Sequence, residues 1–204
     1  MRSGVSLINL SGANGINIIE AATGFVNLAA VSDTGTPAEL KINAGTNITL
    51  NTVSIANLLD INLDIGTTDA ATLNADALSA GTITVDGQST NDTMNFAGTV
   101  TSTANGITIS QAQTVDFDAD VTGQIGVTVT NVNTDIDLAA DVDVKATTGD
   151  VAMRSGVSLI NLSGANGINI IAAATAFGNL AARSEPGKAS ELKVNARDDS
   201  ALNH

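Results

Sequence analysis

Residues Met1–Ala44 and Met153–Ala196 are two copies of one sequence, offset by 152 residues and identical at 34 of 44 positions. A fold for this chain must therefore accommodate the same segment twice. Long-period repetition is the mark of architectures in which each unit buries its apolar face against the next. Met1 matches the internal Met153, so the chain reads as a stretch of a longer array. It divides into one full repeat (1–152), the start of a second (153–196) and a divergent polar tail (197–204). The second copy is the more polar. Arg183 stands where the first copy has Val31, Gly178 stands for Val26, and half of the basic residues follow position 182. Two explanations compete for that drift: a decayed end, or a polar cap that stops further stacking.

Within the repeat, apolar and polar residues alternate. Examples are Ile107-Thr108-Ile109-Ser110, Val115-Asp116-Phe117-Asp118, Val127-Thr128-Val129-Thr130 and Ile136-Asp137-Leu138. Period two gives a strand with one buried and one wet face. Further strands are expected at Ser6–Leu10, Leu40–Asn43, Ile48–Asn51, Leu59–Leu63, Thr82–Val85 and Val142–Lys145, separated by turns such as Asn14-Gly15, Asp86-Gly87 and Asn105-Gly106. Ile107/Ile109 precede Val127/Val129 by 20 residues, and Val115/Phe117 precede Ile136/Leu138 by 21. Two strands recurring together at one interval predict an all-β fold, a parallel β-helix (β-solenoid) of about 20-residue coils. The 152-residue offset then equals eight coils of 19 or nearly seven of 22. The alternative is a β-sandwich repeat, which the Asn-Gly turns favour as hairpin turns. From Ile170 to Ala181, Ile170, Ala174, Phe177 and Ala181 fall at helical spacing and suggest a short helix there.

Composition narrows the function classes. There is no Cys, Trp or Tyr and there are four Phe, so the core must be Val, Ile, Leu and Ala, which suits a narrow layered interior. The net charge of -13 repels nucleic acid and anionic headgroups. No apolar run reaches the roughly 18 residues of a membrane helix, so no membrane insertion is expected. The sole histidine, His204, leaves almost no material for Ser-His-Asp or zinc chemistry. No phosphate loop or dinucleotide fingerprint is present either. The expectation is a chain that is not an enzyme.

The segments GTNITLNT (Gly45–Thr52), GITIS (Gly106–Ser110) and ATTGDVAM (Ala146–Met153) resemble turns of bacterial filamentous-haemagglutinin-type and autotransporter-type surface adhesins. The resemblance implies a right-handed β-solenoid, an extracellular or cell-surface location, and a role in extension, adhesion or self-assembly. Its partners would be a host or neighbouring cell surface, or a further copy of itself. The calcium nonapeptide of secreted calcium-roll repeats is absent, as are a secretion domain and an anchor.

The candidate metal site is a set of acidic residues. Asp116, Asp118 and Asp120 are followed about one coil later by Asp137 and Asp141. Stacked at the apolar offset, Asp116 falls beside Asp137 and Asp120 beside Asp141. Adjacent strands lie about 4.8 Å apart, so such carboxylates repel unless a cation bridges them, and Ca2+ suits several oxygens in flexible geometry. The competing reading is a solvated acidic face. A calcium-stiffened stalk repeat and a polysaccharide-active β-helix enzyme using paired carboxylates are the alternative functions; the missing aromatic platforms weigh against the latter. Outward Thr pairs (Thr82/Thr84, Thr108/Ser110, Thr128/Thr130) suit an ice-binding face or plain β-propensity. Asn9, Asn17, Asn43, Asn47 and Asn51 suit stacked amide ladders or plain turn propensity.

Overall fold

The structure is a computed structural model. It describes residues 8–10, 15–33, 39–66, 69–155, 159–162, 168–173, 177–180, 182–184 and 191–196, and the side chains of 15–33, 39–66 and 69–153. Every described element is a strand, and every strand pairing is parallel. The chain is a β-solenoid.

It begins with β1 (Ile8–Leu10), β2 (Ile16–Ala21) and β3 (Val26–Asp33). The next coil is β4 (Glu39–Ala44) and β5 (Ile48–Ser54), then β6 (Leu58–Asn62), β7 (Thr72–Ala75) and β8 (Leu78–Ala80). There follow β9 (Thr82–Asp86), β10 (Thr93–Phe96) and β11 (Val100–Ser102), then β12 (Gly106–Phe117) and β13 (Val121–Gly123). β14 (Gly126–Leu138) and β15 (Asp143–Ala146) make the coil beneath β16 (Val151–Ser155), β17 (Leu159–Leu162) and β18 (Ile168–Ala173). β19 (Phe177–Leu180), β20 (Ala182–Ser184) and β21 (Glu191–Ala196) end the series.

The pairings sort these strands onto three faces. The first carries β2, β4, β6, β9, the first halves of β12 and β14, then β16 and β19. The second carries the first halves of β3 and β5, then β7, β10, the last parts of β12 and β14, β17 and β20. The third carries β1, the last parts of β3 and β5, then β8, β11, β13, β15, β18 and β21.

The 20- and 21-residue spacings read from the sequence are strand registers: Ile107 pairs with Val127, and Val115 with Ile136. That coil is among the tightest. Other steps run from 19 residues (Leu40 to Leu59) to 27 (Asp143 to Ile170), centred near 22. Longer steps take up their extra residues at the corners, such as the one between β6 and β7. The hairpin alternative fails here because Asn105-Gly106 and Asp86-Gly87 make corners. A corner needs the same permissive backbone that a hairpin turn needs. Gly87 shows why: a Cβ there would sit 2.9 Å from Asp92 Oδ2 and would overlap the Gln111 carbonyl one coil up. At the corner after the first face, Asp64, Gln88, Gln111 and Asn131 all have φ between 51° and 64°, a left-handed conformation that Asp and Asn tolerate well and that Gln88 and Gln111 adopt at the same corner. The helix suggested at Ile170–Ala181 is replaced by β18 and β19. Their parallel partners β15 and β16 override the helical spacing.

Inward side chains stack in files, one residue per coil. One file runs Ile19, Ile42, Ile61, Val85, Ile109, Val129, Met153, of which all but Ile19 are buried. Phe96 and Phe117 stack one coil apart, with centroids 5.2 Å apart and planes 19° from parallel. Such offset stacking adds about 0.5–1.5 kcal/mol beyond area burial.

The two copies sit on different faces. Ile19 belongs to the first face, whereas its counterpart Ile171 pairs with Val144 on the third. The path from Ile19 passes through six full steps to Met153, and Ile171 lies two faces further on. The 152-residue offset therefore spans six and two-thirds coils, not the whole number expected.

Candidate functional surfaces

Outward side chains also align in files, because register is kept from coil to coil. On the first face Thr84, Thr108 and Thr128 are in register, beside a file of Glu20, Asn43, Asn62, Asp86, Ser110 and Thr130. The second file is partly hydrogen-bonded. Asn62 Nδ2 donates to Asn43 Oδ1 (3.2 Å) and Asn43 Nδ2 donates to Glu20 Oε2 (3.0 Å). Lys41 and Asp60 pair at 2.9 Å in the neighbouring file. On the second face Asn74, Asn95, Asp116 and Asp137 are successive, and Asn95 Nδ2 donates to Asn74 Oδ1 at 2.9 Å.

Amide ladders are thus present, and the sequence located them partly. Asn43 belongs to one. Asn17 instead donates to the Gly15 and Glu39 carbonyls, Asn47 accepts from the Thr72 amide, and the Asn9 side chain lies outside the described residues. Asn62, Asn74 and Asn95 were missed. The signal that finds them is their recurrence at coil spacing, 19 residues from Asn43 to Asn62 and 21 from Asn74 to Asn95.

The acidic set is brought together in part. Asp116 and Asp137 are register partners on the second face. Burial, then Asp118, then Asp137, push the Asp116 carboxyl up to about 6. Asp118 and Asp120 follow the end of β12, in the corner before β13. Asp120 falls below Asp143, whose amide donates to its Oδ1 at 2.9 Å. It does not fall below Asp141, because the step from β13 to β15 is 23 residues, not 21. Asp141 holds a left-handed turn (φ 62°) between β14 and β15. Among the described residues no three His, Cys, Asp or Glu side chains converge on a point that could hold a metal ion.

A second acidic locus escaped the sequence reading. Asp64 and Asp92 are the two fully buried carboxylates among the described residues. Asp92 Oδ1 accepts the Ala71 amide at 2.8 Å, while its Oδ2 and both oxygens of Asp64 lack a partner. Burial, and then the neighbouring Asp64 and Asp86 charges, push Asp92 up to about 6 against the lowering effect of the Ala71 amide. Asp64 is raised by burial and by Asp69. Period-two strand patterning says nothing about corner residues, which is why neither stood out. His204 and the tail from 197 lie outside the described residues.

A further apolar feature is at the first coil. Ile16, Ile18 and Phe25 are exposed, at 65%, 61% and 69%. No described strand pairs with the lower side of β2. No protein-family model matches the chain, and comparison with curated proteins and with solved structures returns no match.

Proposed function

We propose that the chain is a structural or adhesive repeat segment of a large secreted or cell-surface protein. It works as a stiff spacer that extends, adheres or assembles, and it carries no catalytic activity. The observation that carries this reading is the unbroken parallel ladder through all described coils, with buried aliphatic files inside and polar files outside wherever side chains are described. Such a stack transmits load through backbone hydrogen bonds and needs no compact active-site cleft. The outward Asn, Thr and Asp files offer a repetitive polar surface of the kind a cell-surface partner could engage at many points.

The experiment is to pull on the chain from its two ends. Coil-by-coil unravelling with increments of roughly 75 Å is expected, from near 22 residues at about 3.4 Å each. One all-or-none rupture at low force would rule out a load-bearing stack. Retention of chain-coated beads on cells separates adhesion from extension alone.

One observation favours a calcium-stiffened variant of the same role: Asp116 and Asp137 sit in register as like charges. A divalent cation between them would relieve the repulsion, with backbone carbonyls and water completing its shell. Calcium would then raise the melting temperature of the native chain and leave that of an Asp137→Asn variant unmoved. Equal response in both abolishes this reading.

A further inference from the structure

We infer that Asp64 and Asp92 form a buried site for a divalent cation of the calcium type, which clamps two stacked corners of the solenoid together. The site is separate from the Asp116–Asp137 register pair and does not depend on the role proposed above.

The corner after β6 and the corner after β9 lie one above the other. Asn62 pairs with Asp86, and the Leu63 amide carries the ladder on by donating to the Asp86 carbonyl at 2.9 Å. Asp64 is the next residue, and its left-handed backbone (φ 51°) turns the chain out of the first face. The upper corner ends at Asp92. Its side chain reaches down one coil, where Oδ1 accepts the Ala71 amide at 2.8 Å. The backbone fixes it from both sides: the Thr93 amide donates to the Ala71 carbonyl at 2.9 Å, and the Gln113 amide to the Asp92 carbonyl at 2.6 Å. One carboxylate thus opens the lower corner and the other closes the upper, near enough for the Asp64 charge to act on Asp92.

Three of their four oxygens have no protein partner, namely both of Asp64 and Oδ2 of Asp92. Asp64 is 1% exposed and Asp92 0%, so bulk water does not solvate them. The neighbouring carboxylates are differently placed. Asp86 Oδ1 accepts from the Gln88 amide (3.0 Å) and from Gln111 Nε2 (2.8 Å), and Asp69 is exposed. The lysines whose side chains are described, Lys41 and Lys145, are paired with Asp60 and Asp143. The inner pair therefore holds two negative charges, unused acceptors and no described cationic side chain.

Two such carboxylates are costly in a low-dielectric interior without a counter-charge. A divalent cation matches their summed charge and engages all three free oxygens. Calcium takes carboxylate and carbonyl oxygens in irregular geometry, whereas magnesium demands a near-ideal octahedron and keeps its waters. A carbonyl is at hand. Gly87 has no side chain, and Asp92 Oδ2 lies 2.9 Å from the point its Cβ would take. The Gln111 carbonyl crowds the same point from the coil above. Backbone carbonyls of this kind and enclosed water would complete the shell. A site so closed exchanges ions only when the corner opens. The cation is therefore taken up on folding and kept, and its binding stabilises both coils.

The test is metal analysis of the full chain. Refolded from urea in calcium, it should retain about one calcium per molecule through dialysis against EDTA and release it on unfolding. Asp64→Asn and Asp92→Asn should each retain at least about tenfold less, since each removes a charged oxygen. Asp137→Asn should retain as much as the native chain, because calcium on that outward pair dialyses away. Thermal unfolding is an independent readout. Refolded in EDTA, Asp92→Asn should melt above the native chain, because the two like charges no longer repel. Refolded in calcium, the order should reverse. Circular dichroism confirms that each variant has folded. The inference is overturned if the native chain retains no calcium, if either corner variant retains as much as the native chain, or if Asp137→Asn alone loses it. Equal retention of magnesium, offered alone, overturns the assignment to calcium. None of these results touches the load-bearing role, which the pulling experiment decides.

Discussion

The two copies of the repeated segment form the same local stack on different faces of the solenoid. In the first, β1 lies under the end of β3 with Ile8 on Val31, and β2 lies under β4 with Ile19 on Ile42. In the second, Ile160 meets Arg183 and Ile171 meets Val194, with the same 23-residue step. Yet β2 is on the first face and β18 on the third. The local sequence therefore sets the coil length and the register between successive coils. The face is set by where the preceding chain arrives. Three similar faces, each built from short aliphatic strands, make this substitution of one face for another inexpensive.

The comparison is broken most sharply by exchanging the residues that differ between the copies. Val31→Arg places a charge in a file where Val31 and the Val53 above it are both 1% exposed. It should cost about 3–5 kcal/mol, the range for a buried charge left without a partner. Arg183→Val makes the reverse exchange at the counterpart register position, and its effect should be smaller than that cost. Urea unfolding of both variants at neutral pH measures the contrast. Equal and opposite shifts, or none, would mean that the two positions are equivalent after all.

A smaller effect separates the copies from the coils between them. Asp64, Asp92 and Asp116, the carboxyls raised by burial and like charge, all lie between residues 45 and 152. Asp92 faces Asp64 and Asp86, and Asp116 faces Asp118 and Asp137. Both titrate at about 6 in the fold, against about 3.9 in an unfolded chain. Between those values these two carboxyls hold more protons in the fold than unfolded, so their contribution to stability is greatest below about pH 4 and declines as pH rises to 6. Asp92→Asn keeps an acceptor for the Ala71 amide and removes the charge, so it should flatten this decline and raise the melting temperature at neutral pH. Hydrogen exchange followed through the same pH range should change in β7, β10 and β12 and stay level in β2 and β4. A decline of the same steepness in Asp92→Asn would show that the corner carboxyl is not its source.

How far the fold could be read in advance follows from the same physics. Alternation in Ile107–Ser110 and Val127–Thr130 is enforced by burial on one side, so strands and one coil's length were legible. The outward pair Asp116 and Asp137 followed from that coil length. Asp120 did not fall beside Asp141, because corner loops differ in length and shift the register on the third face to 23. Asp64 and Asp92 were hidden for a related reason. Their burial comes from how corners stack, and corner sequences carry no periodicity. The helical spacing of Ile170 to Phe177 misled because Ala and Ile serve either structure, and pairing with β15 and β16 decides the matter.

The finest test of the comparison is a single methylene. Ile42 and Val194 are counterparts, and each sits one step above an isoleucine, Ile19 or Ile171. Ile42 is fully buried and has Ile61 above it, so Ile42→Val leaves a void that neighbours on both sides cannot close. The expected cost is about 0.5–1.5 kcal/mol. Val194 lies on β21, above which no described strand pairs. Val194→Ile restores the methylene that the second copy lacks, and its gain should be less than half that cost. Thermal unfolding of the two variants, with hydrogen exchange of β4 and β21 as the local readout, gives both numbers. Equal magnitudes would mean that β21 is packed as fully as β4. The second copy would then be covered from above as the first is, and the difference between them would reduce to the face each one occupies.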